Sequence, residues 1–140
     1  MTLKIAPTAD IPACLALRRA VFIDEQGISE ADEFDDLDAH ALHLLACAQG
    51  VPVGTARLLF TGDLGKIGRV CVLRDWRGHG LGAALILAGL DQFRARPGLR
   101  RARLSAQTAA LGFYEKLGFV AHGPVYDDAG IPHRDMDLTL

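Results

Sequence analysis

Cysteine is scarce in this 140-residue chain, with three residues, and tryptophan scarcer, with one. Cys14, Cys47 and Cys71 are scattered and form no C-x-x-C pair, so neither a disulfide framework nor a redox motif is encoded. They read as small buried hydrophobes in a reducing compartment, and the cytoplasm is the expected location. No apolar run approaches the roughly 18 residues of a membrane span. Met1 to Asp10 lacks the basic-then-apolar layout of a signal peptide. His40, His43, His79, His122 and His133 follow no H-E-x-x-H or Cys/His spacing, so no metal site is expected. A net charge of −2 gives no basic footprint for nucleic acid.

Apolar residues, by contrast, make up 50% of the chain, enough for one domain of this length to bury a real core. Leu3 and Ile5 alternate with Thr2 and Lys4 as in a first strand. Asp10 is placed to cap a helix that tolerates Pro12 in its first turn, runs to about Glu25 and stops near Gly27. His43 to Ala48 and Val53 to Phe60 read as an antiparallel pair around Gln49-Gly50, and a third strand ends at Val72. A helix over Leu81 to Phe93 is apolar on nearly every side and therefore expected to be buried. Ala102 to Ala106 reads as a strand, and Thr108 as the cap of a helix over Ala109 to Leu117. Gly118 suits the left-handed position past that helix, letting Phe119 fold back on Phe113 or Tyr114. After a turn at Asp127 to Gly130, strict alternation from Arg134 to Leu140 marks a half-buried strand.

The chemistry concentrates at Arg77-Gly78-His79-Gly80-Leu81-Gly82, between the strand Ile67 to Val72 and the apolar helix. Strand, glycine turn and helix aim free backbone N–H groups and the positive end of a helix dipole at one point, as phosphate requires. Glycine removes the Cβ atoms that would hold a phosphate off. Gly78 to Ala83 also satisfies the dinucleotide pattern G-x-G-x-x-G/A, but the ribose-holding acid at the next strand end is missing, where Gln107 stands instead. A P-loop is excluded because no Gly-Lys-Ser/Thr follows.

Read as Arg-x-x-Gly-x-Gly, the same stretch (Arg77, Gly80, Gly82) resembles the acetyl-CoA signature of the GNAT superfamily of N-acetyltransferases. Gly112-Phe113-Tyr114-Glu115-Lys116-Leu117-Gly118-Phe119 resembles that family's second signature. Phe22 to Gln26, Asp32 to Asp38 and Gly130 to His133 are similar to the small bacterial subgroup typified by ElaA and YjcF. The resemblance implies one α/β domain over residues 1–140, with a mixed, mostly antiparallel sheet splayed in the middle and helices on both faces. It also implies acetyl transfer from acetyl-CoA to an amine, on a small molecule or a protein, by a chain that is often a homodimer.

Carried onto this chain, the resemblance has the turn from Arg77 through Gly78, His79, Gly80 and Leu81 to Gly82 hold the pyrophosphate. Val70, Cys71 and Val72 would line the pantetheine arm, with the Val72 N–H as oxyanion donor. Tyr114 is the expected acid for the departing thiolate, since a phenol stays protonated at neutral pH. For the base, Glu25 and His133 compete, with His43 third. Burial by Phe22 and Phe34 is expected to raise the Glu25 pKa, whereas histidine needs little tuning. Cys71 has no adjacent activating histidine, so direct transfer in a ternary complex is expected rather than an acetyl-cysteine. The acidic stretch Ser29 to Asp38 reads either as a solvated loop or as a mobile lip that favours cationic acceptors. One of the arginines at 94, 96, 100, 101 or 103 is a candidate for the cofactor's 3′-phosphate. A non-catalytic acyl-CoA sensor and a nucleotide-dependent oxidoreductase are the rival readings.

Overall fold

Residues 3–140 are described by a computed structural model; Met1 and Thr2, the latter part of the expected first strand, lie outside them. The alternating segments become seven strands of one sheet, in the order β1-β2-β3-β4-β5-β7-β6. β1 (Leu3–Thr8), β2 (Leu42–Ala48), β3 (Val51–Thr61) and β4 (Leu64–Val72) form an antiparallel meander. β5 (Arg101–Gln107) lies parallel to β4, while β6 (Val120–Asp128) and β7 (Ile131–Thr139) form a closing hairpin. Among the described residues no helix is long and apolar enough to cross a membrane.

α1 (Ile11–Arg18) begins where the Asp10 side chain accepts from the Ala13 N–H, as expected, and continues into a π-helical segment, Arg19–Glu25. α3 (Leu81–Arg94) is the long apolar helix. These two cover opposite faces. Leu44, Ala46 and Val72 pack with Leu85, Ile86 and Leu90 of α3. Leu45, Cys71 and Leu73, their strand neighbours with side chains turned the other way, pack with Leu17 and Val21 of the first helix. Burying a side chain such as Leu85 contributes about 1.5–3 kcal/mol, and this double-sided core holds the meander between its helices.

Two small elements depart from expectation. Thr108 makes no cap; residues 108–110 form a 3-10 turn and α4 is shorter, Leu111–Glu115. Gly118 does take a left-handed φ of 102°, and Phe119 folds back against Tyr114 with ring centroids 6.3 Å apart. The acidic stretch is neither a bare loop nor an open lip. Ser29 caps a short helix, α2 (Glu30–Glu33), and the segment is tied down by arginines. Arg18, almost wholly buried, donates to Glu33 at 2.6 Å and Asp38 at 2.7 Å. Arg57 reaches Asp35 and Asp38, and Arg69 reaches Glu33 and Asp35. Three guanidinium groups face three carboxylates, so this cluster carries no net charge.

The feature that positions the site is a parting of β4 from β5. They pair only from Leu64 to Ile67, opposite Arg101 to Leu104. Just beyond, β4 carries a bulge against β3 in which Arg69 takes a positive φ of 51°. A bulge bends its strand and increases local twist. From Gly68 to Val72 the β5-facing edge of β4 is left without a strand partner.

Candidate active site

Two hollows open along this parting. The larger, about 610 Å³, lies between β4, the glycine turn, the start of α3 and α4. Val70, Cys71 and Val72 form its floor, and Gly78, Gly80, Leu81 and Gly82 its rim. The smaller, about 290 Å³, is bounded by the π-helical segment, α2, the β4 bulge, the end of β5 and the β6–β7 turn. Gln26, Val70, Gln107, Ala110 and Tyr114 line both. Tyr114 thus stands in the wall where the two hollows meet.

The backbone explains what the larger hollow can hold. Leu73 N–H donates to Val53 O on β3 at 2.9 Å, so by strand alternation the Val72 N–H turns to the opposite, open edge. At the turn, Gly80 has φ 76° and caps α3, whose first intrahelical bond is Ala84 N–H to Gly80 O. The N–H groups of Leu81, Gly82 and Ala83 therefore belong to the helix's open first turn, where the dipole is positive. A Cβ at Gly78 or Gly80 would meet nothing within 4 Å, so the rim is clear for an anion's approach. Open strand edge and open helix end suit a chain of amides ending in a pyrophosphate.

Arg77 is employed otherwise than expected. Its N–H is used by Arg74 O, and its Nε donates to Val72 O at 2.9 Å. The rest of the guanidinium grips both oxygens of Glu25, at 2.5 and 2.9 Å. The side chain ties the first helix to β4, and Arg77 lines the larger hollow beside the glycines that follow it. The His79 side chain is exposed and does not line the hollow.

This pairing also corrects the reading of Glu25. Its carboxylate is exposed and lines neither hollow, and the hydrogen bond and charge of Arg77 hold its pKa below the ordinary value, not above it. Phe34, expected to bury it, lies instead beneath the guanidinium of Arg19, 5.6 Å from the ring centroid. His133, on β7, does line the smaller hollow. Its Nδ1 is 2.7 Å from Ile131 O, and its ring stacks on Tyr126. His43 is buried away from both hollows, with Nε2 2.9 Å from Asp38 O.

Burial pushes the Tyr114 phenol above its usual pKa, which keeps it protonated. Burial likewise pushes the Cys71 thiol up to about 12, where a thiolate nucleophile is absent at neutral pH. None of the five arginines from Arg94 to Arg103 lines the larger hollow. Arg96 lies on Phe60, 3.6 Å from the ring centroid, and Arg103 grips Asp137. The 3′-phosphate role expected of that cluster therefore has no geometric support. Ser105, which sequence reasoning passed over as an ordinary strand residue, and Gln107, which it noted only for not being an acid, both line the smaller hollow. Their signal was faint: they fall on the polar side of the alternation in β5.

Residues 20–140 match the sequence model of the family described as "Acetyltransferase (GNAT) domain". The uncharacterized N-acetyltransferase YjcF of Bacillus subtilis is 36% identical, covering 86% of this chain and 86% of its own. The crystal structure of an acyl-CoA N-acyltransferase from Pseudomonas aeruginosa superposes with a TM-score of 0.88 at 32% identity, covering 98% of this chain and 99% of that one. The crystal structure of Escherichia coli ElaA superposes with a TM-score of 0.82 at 26% identity, covering 98% and 99%.

Proposed function

The chain belongs to the GNAT acetyltransferase family, and from that membership we propose that it transfers the acetyl group of acetyl-CoA directly to an amine within a ternary complex. The observation that carries the reading is that Tyr114 lines both hollows, the larger one bordered by the open edge of β4 and the first turn of α3. Acetyl-CoA, when bound, supplies an activated thioester. The open edge of β4 and the first turn of α3 are the parts of this chain that would hold it.

Each remaining step falls to a named group. The Val72 N–H takes the charge that develops on the carbonyl oxygen, a role typically worth about 3 kcal/mol of the barrier. Tyr114 Oη gives its proton to sulfur as the C–S bond breaks. His133 receives the proton that nitrogen loses as the N–C bond forms. With Nδ1–H directed at Ile131 O, Nε2 of the neutral ring carries the lone pair for that task. Glu25 positions Arg77, and through it Val72, rather than acting as the base. A protonated Cys71 fits a scheme without an acetyl-cysteine.

Thermal unfolding with acetyl-CoA, CoA and NADH added separately tests the cofactor assignment. At a hundredfold excess over Kd a ligand adds about 2.7 kcal/mol, or roughly 10 °C in Tm. Both CoA species are expected to raise Tm and NADH to leave it unchanged. A shift with NADH alone would return the glycine turn to dinucleotide chemistry.

A further inference from the structure

A row of side chains crosses the outer face of β5, β7 and β6 and ends in the smaller hollow. Ser105 lines that hollow and pairs across the sheet with Asp135. Its hydroxyl is hydrogen-bonded to the Tyr126 hydroxyl, which donates to Asp135 Oδ1 at 2.6 Å. The direction of this chain follows from counting protons. A phenol has one, and that of Tyr126 is committed to Asp135. Tyr126 can then meet Ser105 only as an acceptor, so Ser105 must donate its own single proton to Tyr126. What Ser105 offers to the hollow is lone pairs alone.

Other lining groups have the same polarity. His133 directs Nδ1–H at Ile131 O, leaving Nε2 of the neutral ring as an acceptor. Asp32 and Asp128 stand on opposite sides of the hollow, on α2 and at the β6–β7 turn. Arg69, the lining cation, is turned to Glu33 and Asp35. Gln26, Gln107 and Tyr114 also line the hollow and can donate, so a molecule entering here meets these donors together with the acceptors of Ser105 and His133 and the carboxylates of Asp32 and Asp128.

We propose that Ser105, held in its accepting orientation by Tyr126 and Asp135, receives an N–H of the acceptor, and that the hollow selects cationic amines over acceptors bearing a carboxylate. This rests on the reading of the smaller hollow as the acceptor site. Tyr126 and Asp135 are positioning residues, acting through Ser105.

Calorimetric titration of the CoA-saturated protein with putrescine and with γ-aminobutyrate tests it without requiring turnover. Putrescine is expected to bind at least tenfold more tightly than γ-aminobutyrate. Ser105→Ala and Tyr126→Phe should each weaken putrescine about tenfold, the size of one hydrogen bond to a charged group. The double variant should be no weaker than Ser105→Ala, because Tyr126 acts only through that hydroxyl. Ser105→Thr, which keeps the hydroxyl, should bind like the parent. An unchanged CoA-induced Tm shift shows that each variant is folded with its cofactor site intact. Parent-like binding by Ser105→Ala, additive losses in the double variant, equal affinity for γ-aminobutyrate, or no amine binding would each overturn the proposal. Failure to bind CoA would instead overturn the cofactor reading.

Discussion

At Tyr114 a single hydroxyl separates two accounts, one in which the phenol is a packed aromatic and one in which it is an acid. Tyr114→Phe keeps the ring's contacts with Phe113 and Phe119 and removes only the hydroxyl. Steady-state kinetics should then show kcat lower by about a hundredfold or more, with KM for acetyl-CoA unchanged. The pH profile carries the same claim. Burial raises the phenol's pKa, so its acid form persists past the ordinary value near 10, and kcat should show no loss from this group below about pH 10. Cys71→Ala should turn over like the parent, and mass spectrometry of quenched reactions should find no acetylated cysteine, since the buried thiol is not ionised. None of this environment is legible locally. Tyr114 could be identified from its signature, but its place between two hollows depends on β4 and β5, which are distant in the chain. Glu25 misled for the same reason: its partner Arg77 lies 52 residues away.

Elements show the division more clearly. Strands were legible where one face is buried, as in β7, whose alternation places Met136 inside and Asp135 and Asp137 outside. The acidic segment was not, because its three arginines come from α1, β3 and β4. Its charge is a packing device, and removing one member leaves another stranded. Glu33→Ala strips the buried Arg18 guanidinium of a partner and should cost about 3–5 kcal/mol in urea unfolding, while Arg18→Met combined with Glu33→Leu should cost far less. Acid should loosen the same cluster. Burial works against ionisation of Asp35 and Asp38, but hydrogen bonds and charge from Arg57 and Arg18 outweigh it and lower both pKa values. A carboxyl whose folded pKa is lowered stabilises the fold above its unfolded pKa of about 3.9, and that contribution fades as pH falls from there through the folded value. Urea midpoints should therefore drop below about pH 4, and less steeply in Asp38→Asn. Close approach sets another limit, at Gly65 of β4, where an added Cβ would lie 2.7 Å from the Phe93 ring of α3. Gly65→Ala should cost about 1–3 kcal/mol in the same assay.

Across the whole molecule, the proposed function rests on one interruption in a continuous sheet. The meander and the β5–β7–β6 unit share four residues of parallel pairing and then separate. That separation exposes a strand edge, aims the Val72 N–H into open space and brings α3's first turn to the same cleft. The glycine turn and the strand before it were readable as a candidate phosphate site. The parting itself was expected only through family resemblance, since the positive φ of the bulge falls on Arg69 and not on the adjacent Gly68, where the sequence would have suggested it. Membership of the GNAT family and the mixed sheet agree with that resemblance. The central claim is direct acetyl transfer from acetyl-CoA to an amine, and the measurement that meets it most directly is a mass-spectrometric assay of both products. The protein, incubated with acetyl-CoA and a panel of primary amines, should release free CoA and acetylated amine in equal amounts, and Tyr114→Phe should slow both together. Release of CoA with no acetylated amine, or no release from protein shown to bind acetyl-CoA, would contradict it.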